Sequence, residues 1–236
     1  PILVAEWMIG RRGQKNPINT MSDLAASHGK TRAWATIGVS GVLAAFLILS
    51  FYSVIGGWSL NYTLSSVIGT FNGQDADSIG ALFSGMLGSP TTLLLWHTAF
   101  IVLVIGIVAR GVTKGLESAA RTMMPALVVL MLILVGYGMT SGYFGETLSF
   151  MFSPDWDALD GGVVLAAMGQ AFFTLSLGMG IMMAYGSYLG EDVNLISTAR
   201  TVILLDTAIA LLAGLAIFPI VFANGLSAGE GPGLIF

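Results

Sequence analysis

Long apolar runs alternate with short polar connections along this chain, and each run is far longer than a strand or a half-buried surface helix requires. A helix crossing a bilayer needs roughly 20 apolar residues, because the hydrocarbon core is about 30 Å thick and each residue advances about 1.5 Å. By that measure residues 33–57, 93–109, 122–142, 163–188 and 201–223 are full spans, and residues 1–10 are the end of another. The pattern predicts an all-α, polytopic membrane helix bundle, with residues 1–236 as a single transmembrane domain. Because the chain opens with Pro1 inside an apolar run, without Met or a signal peptide, we expect a fragment of a longer protein.

Composition narrows the function. Hydrophobic residues make up 55% of the 236 and charged residues 9%, which places the chain outside the soluble globular class. Nine Lys and Arg against thirteen Asp and Glu give a net charge of −4, with no basic run that would neutralise phosphates, so no nucleic-acid partner is expected. The absence of cysteine excludes thiol nucleophiles, disulfides, Cys-ligated zinc and iron–sulfur clusters in this chain, leaving His28 and His97 as its imidazoles.

The charges test the spans. If the connections alternate between two compartments, all nine basic residues fall on one side. Arg11, Arg12, Lys15, Lys30 and Arg32 follow the first segment, Arg110, Lys114 and Arg121 lie between the spans at 93–109 and 122–142, and Arg200 precedes the last span. The other side carries Asp75, Asp77, Glu146, Asp155, Asp157, Asp160 and Glu230 without a single Lys or Arg. The positive-inside rule makes the basic loops cytoplasmic and the acidic side exterior, in a multi-pass protein expected in the inner (plasma) membrane. Trp58, Trp96 and Trp156 fall near the outer boundary, as belt aromatics should.

Two acids belong to no loop. Glu6 and Asp206 lie inside apolar segments, where a carboxylate costs roughly 2.5–3.5 kcal/mol on insertion scales. Such a group faces a bundle interior, pairs, or holds an ion; the alternative is a helix-end residue reaching back to the interface. The span at 163–188 is also unusual, because Thr174, Ser176, Gly178 and Gly180 alternate with apolar residues at its centre. Gly weakens a helix interior and Ser and Thr offer competing hydrogen bonds, so TLSLGMG is where this helix would unwind. Freed main-chain groups at membrane depth are tolerated only when buried in protein or lining a wet cavity, where carbonyls bind small cations. Close packing of small residues explains the same composition and stays open.

Four stretches, PILVAEWMIGRRGQ, RGVTKGLESAARTMMPAL, GQAFFTLSLGMGIMMAYGSYL and the closing GEGPGLIF, resemble the neurotransmitter:sodium symporter family, in family order from one end of the chain to the other. The resemblance implies a transporter with the leucine-transporter fold, a five-plus-five inverted repeat in which this chain runs from the end of helix 2 to the start of the fourth extracellular loop, with a discontinuous helix at 163–188. The missing helices of the same full-length chain, helix 1 above all, would complete the sites. By resemblance, Tyr52 bonds the substrate carboxylate, Phe173 closes over the substrate, Thr174 and Ser176 supply amino-group and ion ligands, and Gly178 and Gly180 keep the unwound segment permissive. Met179 stands where the leucine transporter has phenylalanine, which makes bulkier apolar substrates plausible. By the same resemblance, Gln170 and Glu6 are expected to hold the unwound backbone and its waters. Asp206 stands where many members have a sodium-ligating asparagine, so Thr174 and Asp206 are the expected sodium ligands, and the added carboxylate suggests transport without chloride and a proton returning on the empty carrier.

These readings converge on sodium-coupled symport of an amino acid, hydrophobic or aromatic, by alternating access, with sodium as coupling ion, the bilayer as surroundings and no organic cofactor. A passive channel or a non-transporting membrane subunit is the alternative. A membrane-embedded enzyme is disfavoured because HExxH and GxSxG are absent and no Ser or Thr has a His base in a suitable context. His97 reads as interfacial, and Asn61-Tyr62-Thr63 as a chance glycosylation sequon.

Overall fold

The computed structural model describes residues 1–229, apart from the side chains of Ala76, Asp77 and Thr113; Glu230 and the GPGLIF that follows it, all but the first residue of the closing GEGPGLIF, lie outside the described residues. Among the described residues all regular structure is helical, in the order α1 (Ile2–Gly13), α2 (Pro17–Ser27), α3 (Ala35–Val67), α4 (Ala76–Leu87), α5 (Pro90–Val108), α6 (Ser118–Met139), α7 (Phe144–Phe152), α8 (Gly161–Thr174), α9 (Ile181–Gly186) and α10 (Leu195–Ala223). Among the described residues four stretches are long and apolar enough to cross a membrane: Arg32–Val67, Pro90–Val108, Lys114–Met139 and Leu195–Ala223. With Gly161–Thr174 as a shorter apolar helix, the protein is a polytopic helical membrane fold.

Local chemistry sets where the helices begin. Ser89 caps α5 through the Thr92 N–H with Pro90 at its first position, and Asn194 accepts the Ser197 N–H ahead of α10, so both helices start before the apolar run does. α3 continues beyond Gly57 to Val67 through the polar stretch SLNYTLSSV. Three helices lie in connections that hydropathy leaves blank. α2 starts at a capped Asn16 followed by Pro17, and α4 starts at Asp75, whose carboxylate accepts the Ser78 N–H at 2.9 Å. The third, α7, is nine residues long. Ahead of α6, Val112–Glu117 forms a π-helical turn.

The described residues group into two compact units, Pro1–Leu49 with Pro154–Ile209, and Ser50–Ser153 with residues 210–229, so that α3 and α10 each contribute to both. In the first unit Leu3, Trp7, Leu195 and Ala199 form a buried cluster with Leu177, Met182 and Val193 against it. There α1 and α9 touch backbone to backbone: a Cβ on Gly10 would overlap the Met183 carbonyl, and one on Gly186 would lie 2.6 Å from the Trp7 carbonyl oxygen. Small residues permit this approach, which apolar side chains in lipid could not drive by hydrophobicity. Arg11, in the last turn of α1, donates to the Val193 carbonyl at 3.0 Å.

In the second unit the C-terminal part of α3 packs on α5, with Gly57 against the Trp96–His97 backbone, while Trp58 and Phe83 meet edge to face at 5.4 Å. Phe150 of α7 meets Phe218 and Phe222 of α10 at 4.9 and 5.6 Å.

Candidate functional site

The apolar segment 163–188 is not one helix. α8 ends at Thr174, α9 starts at Ile181, and Leu175–Gly180 lies outside both. The ending has a definite geometry. Ser176 adopts a left-handed conformation at φ 53°, its N–H donates to the Phe173 carbonyl at 3.0 Å, and the Leu177 N–H donates to the Phe172 carbonyl at 2.9 Å. That is the Schellman pattern, in which two reversed hydrogen bonds close a helix on a left-handed residue. Glycine normally fills that position; a serine there bears a backbone cost of roughly 1–2 kcal/mol. Gly178 at φ 79° and Gly180 at φ 71° continue the left-handed turns without such a cost, and the Gly180 carbonyl then accepts the first hydrogen bond of α9, from Ala184.

Two carboxylates meet the break, one at its α8 end and one at its middle. The Thr174 hydroxyl, at the last position of α8, donates to Asp206 with 3.0 Å to Oδ1 and 3.2 Å to Oδ2. Asp206 lies about three turns into α10, half-buried, so it is no helix-end residue reaching for the interface. In the middle of the break the Gly178 N–H donates to Glu6 Oε1 at 2.7 Å. Glu6 is only 8% exposed, and its second oxygen, Oε2, is buried without a hydrogen-bond partner. A short bond of this kind secures a main-chain amide that the helix has released, and the orphaned oxygen retains its capacity to accept.

The other expected residues fall as follows. Phe173 precedes Thr174 in α8 and is 43% exposed, and Gln170 is exposed one turn earlier. Met179 is partly buried, its main chain against Gly41. Tyr52 belongs to the second compact unit, whereas Glu6, Gln170, Phe173, Thr174, Ser176, Gly178, Met179, Gly180 and Asp206 all belong to the first. Pattern reading did not single out Gly41 and Pro17, which meet Met179 and Gly180, or Gly38, which meets the Pro17–Ile18 main chain, all three buried; the spacing of the two glycines, one helical turn apart, was the available signal.

A hydroxyl, a carboxylate and unwound main chain make a hard-oxygen donor set suited to an alkali or alkaline-earth cation rather than a thiophilic metal. Among the described residues no group of three His, Cys, Asp or Glu could hold a metal by side chains, so any cation here would draw on hydroxyl and main-chain oxygens as well.

Residues 84–232 match the model of the sodium:neurotransmitter symporter family. The whole chain is 41% identical over 236 residues to an uncharacterized sodium-dependent transporter of Bacillus subtilis, YhdH, covering 51% of that protein. It is 32% identical over 242 residues to an uncharacterized sodium-dependent transporter of Haemophilus influenzae, covering 53% of it. Over 93% of its length it is 24% identical to a human sodium-dependent neutral amino acid transporter, covering 33% of that protein. The chain thus spans about half the length of the bacterial relatives it matches. Its match over most of the described helices, including both halves of the broken one, shows that the chain belongs to the sodium:neurotransmitter symporter family.

Proposed function

We propose that this chain is part of a sodium-coupled symporter that takes up a hydrophobic or aromatic amino acid by alternating access, independently of chloride. The observation that carries the reading is the Thr174 hydroxyl on the Asp206 carboxylate beside the unwound Leu175–Gly180 segment. The names of the relatives support sodium as the driving ion and a neutral amino acid as substrate.

In this reading sodium enters between Thr174 and Asp206. The threonine proton turns away and its lone pair faces the cation, so one hydrogen bond is exchanged for two hard-oxygen contacts. Asp206 supplies a full negative charge next to the ion, so the loaded site is neutral without a bound anion. On the empty return the same carboxylate is uncompensated at membrane depth, and taking up a proton relieves that cost. Ser176 and the main chain of the break hold the substrate's ammonium group, Phe173 closes over it, and Tyr52 donates its phenolic hydrogen to the substrate carboxylate. Glu6, fixed to the Gly178 N–H, keeps the unwound segment from refolding into helix, and Gln170 holds its waters. Gly178, Gly180 and the adaptable thioether of Met179 leave room for a bulky apolar side chain. Segments of the full-length protein beyond this chain complete the ion and substrate sites.

Sodium and substrate then bind with positive coupling, since each favours the geometry the other uses. The basic connections face the cytoplasm and the acidic ones the exterior of the plasma membrane. The test is uptake of labelled amino acids by the full-length protein in vesicles, with an imposed sodium gradient in chloride-free medium. Accumulation against the substrate gradient supports the reading. Equilibration without accumulation would indicate a channel, no flux a non-transporting subunit, and flux that needs chloride would refute the role given to Asp206.

A further inference from the structure

Asp206 holds the α8 end of the break and Glu6 its middle, but neither accounts for the position of Met179 and Gly180. That pair rests on α3. A Cβ built on Gly41 would lie 2.9 Å from the Met179 carbonyl carbon, 3.0 Å from its oxygen and 3.1 Å from the Gly180 nitrogen, so the two main chains are in direct contact. Gly180 also meets α2. A Cβ on Gly180 would lie 3.1 Å from both Cβ and Cγ of Pro17, the first residue of that helix. One turn before Gly41, Gly38 admits the Pro17–Ile18 main chain, which a Cβ there would approach to 2.6 Å. Gly38, Gly41, Gly180 and Pro17 are all buried.

We propose that Gly41, together with Pro17, is a positioning seat that fixes the Met179–Gly180 side of the break and thereby sets how tightly, and for which side-chain sizes, the substrate is held. The proposal rests on the symport reading and adds two residues that need not touch substrate. Its physical basis is the kind of atom in contact. A side chain displaced by a neighbour can change rotamer, whereas the Met179–Gly180 peptide can yield only by moving the start of α9 with it. The left-handed Gly180 joins this peptide to α9 and is itself held by the Pro17 ring, so a shift of a few tenths of an ångström at Gly41 passes directly to main-chain groups lining the break. Binding that depends on fixed main-chain groups is sensitive to displacements of that size.

The experiment uses the full-length transporter, with any cysteine outside this chain removed and one introduced at the exposed Tyr185 of α9; the chain itself has none. Gly41→Ala is compared with Gly136→Ala, a helical glycine whose added Cβ would meet nothing within 4 Å. Two readouts are taken: sodium-dependent binding of alanine, leucine and tryptophan, and the rate of maleimide alkylation at position 185 without ligands. Gly41→Ala is expected to weaken binding about tenfold, most for tryptophan, and to change the alkylation rate severalfold, while Gly136→Ala matches the parent in both. Pro17→Ala removes a contact without adding atoms and should speed alkylation and weaken binding, so it decides the matter if Gly41→Ala fails to accumulate. Should Gly41→Ala, or Pro17→Ala in its place, match the control in both readouts, the seat is refuted. Absence of sodium-dependent binding in the parent would refute the symport reading instead, and the alkylation comparison would still decide the seat.

Discussion

The hydroxyl of Thr174 is shared between both oxygens of the Asp206 carboxylate, at 3.0 and 3.2 Å, across 32 residues of sequence. One proton divided between two acceptors satisfies neither fully, and a neutral donor does not balance the carboxylate's charge. In the proposed ion site this hydrogen bond gives way to a cation as the threonine turns its proton aside and keeps it. Both ends stand on regular helix, Thr174 at the end of α8 and Asp206 within α10, so the geometry is set by elements rather than by a loop.

Replacing the charge while keeping the shape tests that pairing. Asp206→Asn retains an acceptor oxygen for Thr174 but removes the negative charge. The variant should need more sodium for half-maximal uptake, by about tenfold, and should become stimulated by chloride. The measurement is uptake by the full-length protein titrated with sodium in gluconate and in chloride media. Unchanged sodium dependence in both would show that Asp206 is not at the ion.

Ser176 bears a backbone cost that glycine would not. Ser176→Gly and Ser176→Ala both remove the hydroxyl, but only glycine relaxes at φ 53°. The glycine variant should therefore be more stable than the alanine variant by about 1 kcal/mol, read as the difference in thermal unfolding of the full-length protein in detergent. Equal stabilities would mean that Ser176 is not left-handed in the protein.

The bond from the Gly178 N–H to Glu6 makes a prediction about shape against charge. Glu6→Gln keeps an oxygen able to accept at 2.7 Å, and Glu6→Leu does not. Losing this part-buried hydrogen bond costs about 1 kcal/mol, so the leucine variant should unfold at a lower temperature than the glutamine variant. A leucine variant as stable as the glutamine one would place the Gly178 amide elsewhere.

At the surface, Lys15 holds Asp23 through a 2.7 Å hydrogen bond and by charge, with Arg32 adding to the effect, and the Asp23 carboxyl is kept below its ordinary value of 3.8. A depressed carboxyl contributes stability that is present above the unfolded value and is lost as pH falls toward the folded one, so this contribution fades only below about pH 4. The pair is exposed, and its share of stability is small. Lys15→Ala should return the Asp23 titration toward 3.8, measured by carboxyl-carbon NMR of the labelled protein, without changing uptake at neutral pH. An Asp23 titration that does not move in this variant would place Lys15 away from it.

Membrane spans were legible in the chain because lipid imposes a length and a composition on any helix that crosses it, and both are one-dimensional properties. Helix starts were less so. Residues 195–200 of α10 and the polar end of α3 are helical for reasons of capping and continuity that hydropathy does not record, and α2, α4 and α7 lie in stretches too short or too polar to register. The interruption after Thr174 could be anticipated from Thr, Ser and Gly at the centre of an apolar segment, since those residues weaken the helix wherever they stand.

By itself, then, the sequence determined that the protein is a helical membrane chain and where one apolar segment breaks, because these follow from local preference and from the solvent. Family resemblance grouped Thr174 with Asp206 and Glu6 with the unwound backbone, but only the tertiary structure decided that Thr174 bonds Asp206 directly, that Glu6 takes the Gly178 amide, and that Gly41 and Pro17 support Met179 and Gly180. Those pairings join residues 32 to 172 positions apart, or join glycines whose only property is an absent side chain. Periodicity carries no signal for either, since contact across such distances depends on how the helices pack.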